Sequence, residues 1–251
     1  MSKIIEKIKE YSKVFDETLF PGFSCDVCST EIKNLKLRLC QNCIDGIVFH
    51  NGKLCAKCGM PVKEEEVVCE VCKDRNYNFN RAYSVCDYGP ISAALVKSFK
   101  FDLKKYIGET IASMMAAYFN SLNLKADYLT FVPLGEERLK ERGFNQTEVI
   151  ANELSKLIKI PVIDLLTREV ETPKQSSLDQ KERLKNLKDA FKVKAKESLK
   201  GKTVMLIDDV FTTGATLDEC SKALKKLKPE KIIAFTFAKT DFKAGAEMYD
   251  Y

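Results

Sequence analysis

With 251 residues, the chain has room for one full domain with an appendage or for two modest domains, and a large many-domain assembly is excluded. Its composition, 45% hydrophobic and 31% charged, is typical of a globular protein, and its longest uncharged apolar runs fall far short of the ~20 residues that span a bilayer. We therefore expect no transmembrane segment, and the mild net charge of +5 gives little support to bulk nucleic-acid affinity.

Residues 1–22 are predicted to form an N-terminal helix. Apolar side chains recur at helical spacing until Pro21 and Gly22 end the pattern. They are Ile4, Ile5, Ile8, Tyr11, Phe15 and Leu19. The mixed charges between them favour packing against the protein itself over a membrane surface. Lys and Glu also interrupt the apolar run that a signal peptide needs, so we expect a cytoplasmic protein.

Residues 23–80 are predicted to form a double zinc ribbon, because four CxxC knuckles follow one another at nearly even intervals. Their cysteines are Cys25, Cys28, Cys40, Cys43, Cys55, Cys58, Cys69 and Cys72. In the cytoplasm such thiols stay reduced, and two knuckles complete the tetrahedral shell of one structural zinc ion. The eight cysteines thus predict two zinc sites. Pairing of consecutive knuckles is favoured, but the spacing leaves open a cross-brace that joins the first knuckle with the third.

His50, the only histidine, lies between two knuckles and is interpreted as an ordinary loop residue rather than a ligand or a general base. Cys86 and Cys220 lie outside the knuckles, in a predicted strand and on the apolar stripe of a predicted helix. We interpret both as buried packing residues rather than reactive thiols.

From residue 81 onward, strand and helix signals alternate, which predicts an α/β domain over 81–251 with a parallel sheet covered by helices. Strands are expected at 82–88, 128–134, 162–167, 203–208 and 231–238. Helices are expected at about 90–121, 145–159, 180–189 and 215–228.

The segment 168–202 carries 11 Lys and Arg against 6 Asp and Glu, an excess that equals that of the whole chain. A solvated helix face explains such a run, and from the residues alone it is the favoured interpretation. The alternative is that the segment tracks a single strand of nucleic acid through its cations, with Phe191 stacking on a base. The cations considered are Lys181, Arg183, Lys185, Lys188, Lys192 and Lys194.

The segment 204–216, VMLIDDVFTTGAT, carries the chemistry. A buried strand ends in Asp208 and Asp209 and turns through threonines and Gly214 into a helix. Ligands of open α/β sheets bind beyond the carboxyl ends of the strands, and a helix start offers N–H groups and a positive dipole end to a phosphate. Two adjacent carboxylates can accept hydrogen bonds from neighbouring sugar hydroxyls. The segment thus predicts a site for a ribose 5-phosphate.

This segment resembles the 5-phosphoribosyl-1-pyrophosphate (PRPP) signature of type I phosphoribosyltransferases at all thirteen positions. Further strings are FKF at 99–101, RLKERGFNQ at 138–146 and the double ribbon. Five separate positions belong to the same set of similarities: Gln175, Arg183, Asn186, Ala190 and Phe191. Together, from about residue 20 to residue 239, they are similar to the ComF family, the phosphoribosyltransferase-like proteins of bacterial natural competence.

The resemblance implies a type I phosphoribosyltransferase fold: a parallel five-stranded sheet flanked by helices, a hood over 168–202, and a small N-terminal zinc-ribbon domain. Asp208 and Asp209 would hold the ribose hydroxyls. The following loop would bind the 5-phosphate through Val210, Thr212, Thr213, Gly214, Ala215 and Thr216. The pyrophosphate loop would be formed by Pro133, Leu134 and Gly135. Many transferases carry a basic residue in that loop. Arg138, Lys140 or Arg142 could substitute for it here, and Arg142 is favoured, as a third catalytic residue beside the two aspartates.

Two functions are compatible with the resemblance. The first is a Mg²⁺-dependent phosphoribosyltransferase that acts in natural transformation and the uptake of single-stranded DNA, with Asp209 as the nearest general base and an acceptor left open. The second is a non-catalytic competence factor that binds single-stranded DNA through its ribbons and hood, with PRPP as a regulatory or vestigial ligand. The ribbons alone could also mount the transferase domain on another competence protein.

Overall fold

The computed structural model describes residues 23–32, 37–102, 104–169, 189–194 and 198–240. The chain divides into two compact units, Met1–Gly46 and Ile47–Tyr251, and each is described by itself. The N-terminal helix expected over 1–22 and most of the expected hood lie outside the described residues. Among the described residues, no helix combines the length and the apolar character needed to cross a membrane.

The first unit surrounds the first two knuckles. Strand β1 (Phe23–Ser24) pairs antiparallel with β2 (Glu31–Ile32), and helix α1 (Gln41–Asp45) follows directly after Cys40. The tight turn between the strands places the first knuckle at the hairpin end, where the Cys25 backbone N–H donates to the Thr30 carbonyl at 2.8 Å. A short hairpin and one helical turn thus bring four sulfurs to one place.

The second unit contains six strands within its described residues: β3 (Arg81–Asp87), β4 (Tyr128–Phe131), β5 (Leu166–Arg168), β6 (Phe191–Val193), β7 (Thr203–Phe211) and β8 (Lys231–Lys239). Four of them form a parallel sheet in the order β3-β8-β7-β4. The central strands β7 and β8 are buried along most of their length, as expected for a sheet covered on both faces. The predicted α/β class is thereby confirmed.

Five helices of the second unit accompany these strands: α2 (Pro90–Phe101), α3 (Ile107–Ser121), α4 (Glu136–Arg142), α5 (Gln146–Ile158) and α6 (Ala215–Leu224). Short 3-10 turns occupy Glu70–Cys72 and Lys225–Leu227. The continuous helix expected over 90–121 is divided, because the backbone leaves helical values at Asp102 (φ −87°, ψ 2°). Pro90 suits the first turn of α2, where its missing N–H removes no helical hydrogen bond.

The expected fifth strand at 162–167 joins the sheet at one point. Leu129 donates its N–H to the Pro161 carbonyl and accepts from the Ile163 N–H, which gives a single parallel bridge between Leu129 and Val162. Pro161 has no N–H with which to extend the ladder. The chain then leaves the sheet, and β5 pairs antiparallel with β6 instead.

The second zinc knuckle pair is part of the core of the second unit. Cys55, Cys58 and Cys72 are fully buried and belong to one apolar cluster with residues of β3 and β7. The ribbon backbone also touches the sheet, because Ala82 of β3 donates its N–H to the Lys57 carbonyl at 2.9 Å. Gly59 lies directly over this contact with φ +73°, and a Cβ there would stand 2.4 Å from the Ala82 carbonyl oxygen.

We expect Gly59→Ala to destabilise the second unit far more than Gly52→Ala. Both glycines have positive φ, but a Cβ at Gly52 meets nothing within 4 Å, so that only the Gly59 variant adds a backbone clash to the conformational strain. Thermal unfolding of the two variants should differ by roughly 3 kcal/mol, or about 6–12 °C in Tm. Equal losses in the two variants would show that the contact between ribbon and sheet does not limit stability.

Candidate functional site

Each unit contains one group of four cysteines whose sulfurs all lie within 4.8 Å of one another. The groups are Cys25, Cys28, Cys40 and Cys43 in the first unit, and Cys55, Cys58, Cys69 and Cys72 in the second. The knuckles thus pair consecutively, as favoured from the spacing, and the cross-brace is excluded. Four thiolates at this separation fit the closed shell of structural zinc. His50 belongs to neither group, and Cys86 and Cys220 are fully buried, in agreement with their interpretation as packing residues.

His50 is bound within the second unit. Its Nε2 lies 2.8 Å from Asp87 Oδ1 at the carboxyl end of β3, and its backbone N–H donates to the Val85 carbonyl. Burial lowers the pKa of His50, and the neighbouring carboxylate opposes that shift. His50 therefore has a structural role at the edge of the sheet, where it binds two residues of β3.

Asp208 and Asp209 lie near the end of the central strand β7. The Asp209 backbone N–H donates to Asp208 Oδ1 at 2.9 Å, and Asp209 Oδ2 accepts from the ammonium of Lys100 at 2.7 Å. Burial and the negative charge of Asp209 raise the pKa of Asp208 to about 8, although the positive charge of Lys100 opposes the shift. The pair thus concentrates negative charge at the carboxyl edge of the sheet, and Lys100 compensates part of it.

The loop after β7 turns sharply at Gly214, which has φ +83° and caps the start of α6. A Cβ on Gly214 would stand 2.6 Å from Phe211 Cζ and 3.0 Å from Tyr77 Cε1, so that only glycine fits. The turn leaves a small recess in front of the N-terminus of α6. Its lining residues are Asp208, Val210, Phe211, Thr212, Gly214, Thr216 and Leu217. Most of the residues expected to bind a ribose 5-phosphate therefore surround one recess.

Residues 132–135 lie beside the acid pair. Phe131 of β4 pairs with Ile207 of β7, and Val132 donates its N–H to the Ile207 carbonyl at 3.0 Å. The expected pyrophosphate loop, Pro133 to Gly135, begins directly after this contact. Pro133 and Gly135 are buried and Leu134 is half-buried. None of the three residues has a charged side chain, so the loop contributes no side-chain cation.

The two strings FKF and RGFNQ interlock beside this loop. Phe99 packs against Phe144 with ring centroids 5.6 Å apart, and the guanidinium of Arg142 lies 5.3 Å from the centre of the Phe101 ring. Asn145 begins α5 by accepting from the Thr147 N–H. The Asn145 amide and the Thr147 hydroxyl both donate to the Val132 carbonyl, at 3.1 and 2.6 Å. The strings therefore fix the position of the loop relative to the acid pair.

Arg142 is the last residue of α4. Its pKa is lowered by burial and by the charge of Arg138, and the charge of Asp209 opposes that shift. Lys100 was not identified as a site residue from the sequence. The lysine belongs to the FKF string, but its partner, Asp209, is 109 positions away in the chain. A local pattern carries no signal of that contact.

The chain that leaves the second knuckle pair contacts the same loop. The Arg75 guanidinium and the Tyr77 hydroxyl both donate to the Thr213 carbonyl, at 3.3 and 3.4 Å. Lys239 at the end of β8 is fully buried with its ammonium 3.4 Å from the centre of the Phe211 ring. Burial lowers the pKa of Lys239 to about 8, and the nearby Cys58 and Cys72 oppose the shift. The second knuckle pair and the loop after β7 thus share one packed region.

The expected nucleic-acid surface is placed only in part. Lys181, Arg183, Lys185 and Lys188 lie outside the described residues. Phe191 is described, and it corrects the expectation of base stacking: only 4% of it is exposed, in the core beside β5, with the Arg168 guanidinium 5.6 Å from its ring centre. The side chain points inward because β6 covers the apolar cluster with alternate residues.

Comparison with known proteins agrees with this geometry. Residues 145–250 match the family model of the phosphoribosyl transferase domain, and residues 16–74 match the double zinc ribbon domain. Competence protein F of Haemophilus influenzae is 30% identical over 228 residues, which are 88% of this chain and 98% of that protein. Competence protein ComFC of Bacillus subtilis is 29% identical over 81% of this chain and 85% of its own length. DNA utilization protein YhgH of Escherichia coli K12 is 29% identical over 68% of this chain and 77% of its own length.

We predict that the second cysteine group, and not the first, supports the phosphate loop. In Cys55→Ser with Cys58→Ser, amide hydrogen exchange over residues 212–216 should rise by at least about tenfold, because the buried cluster beside Phe211 and Tyr77 loses its metal centre. Cys25→Ser with Cys28→Ser is the matched control and should leave exchange in that loop unchanged. Equal effects of the two double variants would contradict the prediction.

We expect Asp208→Asn to stabilise the protein above neutral pH. Because the pKa of Asp208 is raised to about 8 in the folded state, the unfolded chain holds fewer protons between about pH 4 and pH 8, and the stability contributed by this group falls as the pH rises through that window. The Asn variant does not ionise, so its Tm advantage should grow from near zero at pH 4 to roughly 10–20 °C above pH 8.

The control for this pH series is Asp164→Asn, which removes a carboxylate that is ion-paired with Lys194 on an exposed surface. Its Tm difference from the unaltered protein should stay small and flat across the same pH range. If the Tm difference for Asp208→Asn were also independent of pH, ionisation of Asp208 would not destabilise the folded state, and the prediction would be wrong.

Proposed function

The chain belongs to the competence protein F family, and from that premise we propose that it binds PRPP at the end of β7 and transfers the phosphoribosyl group to an acceptor. One observation carries the proposal: the acid pair Asp208–Asp209 and the recess at Gly214 adjoin each other at the carboxyl edge of a parallel sheet. Two carboxylates followed by a recess at a helix N-terminus suit a sugar that carries a 5-phosphate.

We assign the ribose hydroxyls to Asp208 and Asp209, whose oxygens accept hydrogen bonds. The 5-phosphate is assigned to the backbone N–H groups between Thr212 and Thr216, because the first amides of α6 have no helical partner and the positive end of the helix dipole favours an anion. Gly214 permits the close approach of backbone to phosphate that a side chain would block.

The acid pair also fits a magnesium ion. Mg²⁺ prefers oxygen ligands, and a cation would relieve the repulsion that raises the pKa of Asp208. When bound, Mg²⁺ would neutralise charge on the pyrophosphate that leaves the sugar. Asp208 and Asp209 are the residues that would hold it, directly or through the sugar hydroxyls.

In the proposed reaction, the bond between C1 of the ribose and the pyrophosphate oxygen breaks, and pyrophosphate leaves with the electron pair. A lone pair on a nitrogen or oxygen of the acceptor forms the new bond to C1, and the acceptor releases one proton. A carboxylate of the acid pair, Asp208 or Asp209, accepts that proton.

We place this activity in the use of single-stranded DNA by competent cells, as the names of the relatives suggest: two are competence proteins and one is a DNA utilization protein. The same names support a second candidate function, in which the chain binds single-stranded DNA and PRPP without turnover. Its DNA contacts would come from the ribbons or from the basic segment around Lys181 and Arg183. The two functions differ in whether pyrophosphate is released.

The test combines titration calorimetry of PRPP in Mg²⁺ with an assay for pyrophosphate in the presence of bases, nucleosides and single-stranded DNA. The double variant Asp208→Asn with Asp209→Asn should lose PRPP affinity by roughly 100-fold or more, because two charge-assisted partners of the sugar are removed. Asp164→Asn is the control for the loss of a carboxylate and should bind normally.

Three outcomes are distinct. Binding with release of pyrophosphate supports the transferase. Binding without pyrophosphate from any acceptor supports the non-catalytic DNA-binding factor. Absence of PRPP binding at saturating Mg²⁺ overturns the proposal altogether.

A further inference from the structure

Lys100 is the one cation in ion-pair contact with the acid pair among the described residues. Its ammonium lies 2.7 Å from Asp209 Oδ2, and its positive charge also lowers the pKa of Asp208. The Asp209 side chain is 8% exposed, whereas that of Lys100 is 24% exposed. The ammonium of Lys100 is therefore partly accessible, whereas the carboxylate with which it pairs is nearly buried.

The position of Lys100 is fixed by the residues on either side of it. Phe99 is fully buried and packs against Phe144, while Phe101 lies beneath the guanidinium of Arg142. The end of α2 is thus anchored to the start of α5 and the end of α4. The backbone of Lys100 is held, but its four-carbon stem remains free to change rotamer at the site.

The loop that would face the pyrophosphate group has no cation of its own. Pro133 offers neither an N–H nor a charge, and Leu134 is apolar. A pyrophosphate group carries several negative charges, and next to Asp208 and Asp209 it requires positive partners from elsewhere. Among the described residues, Lys100 is the cation that contacts the pair.

We infer that Lys100 is a pyrophosphate-binding residue that changes partner when PRPP binds, an inference that rests on the proposed function. In the free protein Lys100 neutralises Asp209. When the ribose hydroxyls donate hydrogen bonds to the Asp209 carboxylate, the ammonium of Lys100 moves to the oxygens of the pyrophosphate, which is attached to the adjacent carbon C1. A side chain from outside the loop thereby replaces its missing basic residue.

The experiment compares two ligands that differ in the pyrophosphate group. Affinities of ribose 5-phosphate and of PRPP are measured by titration calorimetry in Mg²⁺ for the unaltered protein and for Lys100→Gln. The variant should bind PRPP about 10–100-fold more weakly, the loss expected for one charged hydrogen-bond partner. Its affinity for ribose 5-phosphate should stay the same or rise, because Asp209 no longer has to release a lysine.

Two further variants keep the result interpretable. Lys104→Gln removes an equal charge from a nearby lysine that pairs with Asp102, and it should change neither affinity. Lys100→Arg retains the charge and should keep PRPP affinity within a few-fold, which also covers the case in which Lys100→Gln fails to fold.

The outcomes separate this inference from the proposed function. If the unaltered protein binds neither ligand, the proposed function and the inference both fail. If it binds both ligands and Lys100→Gln loses them equally, Lys100 has a structural role only and the inference is wrong. Unchanged PRPP affinity in Lys100→Gln overturns the inference while leaving the proposed function intact.

Discussion

Burial of two adjacent carboxylates, together with the repulsion between them, is the main constraint on the site of the second unit. Asp208 and Asp209 occupy consecutive positions of the central strand, so that neither can move away from the other without breaking the sheet. Part of their charge is compensated by Lys100 of α2, the helix that follows β3. Parallel pairing places the carboxyl ends of the strands at one edge of the sheet, so the segments that follow β3 and β4 begin there.

The second knuckle pair takes part in the same region. Its cysteines are buried with residues of β3 and β7, its outgoing chain donates two hydrogen bonds to the Thr213 carbonyl, and Tyr77 leaves no room for a side chain at Gly214. The second cysteine group is therefore part of the core of the second unit, whereas the first group belongs to the other compact unit. Two motifs that look equivalent in the sequence thus have different structural roles.

Features that depend on neighbouring residues were predictable from the sequence. The spacing of the knuckles indicated consecutive cysteine groups, and the order of apolar, acidic and hydroxyl residues located the loop after β7. Features set by distant contacts were not predictable. Three such features are the ion pair between Lys100 and Asp209, the burial of Phe191 and the departure of the chain from the sheet after Ile163. Each depends on residues that only the fold brings near. Local propensity contains no information about such partners.

The interlocking of the FKF and RGFNQ strings has an evolutionary consequence. Phe99 and Phe144 fill one space together, and the ring of Phe101 supports Arg142, so a substitution in either string alters the fit of the other. The two strings should therefore covary among relatives. A chimera that exchanged one of them between distant homologues would inherit a mismatched pair.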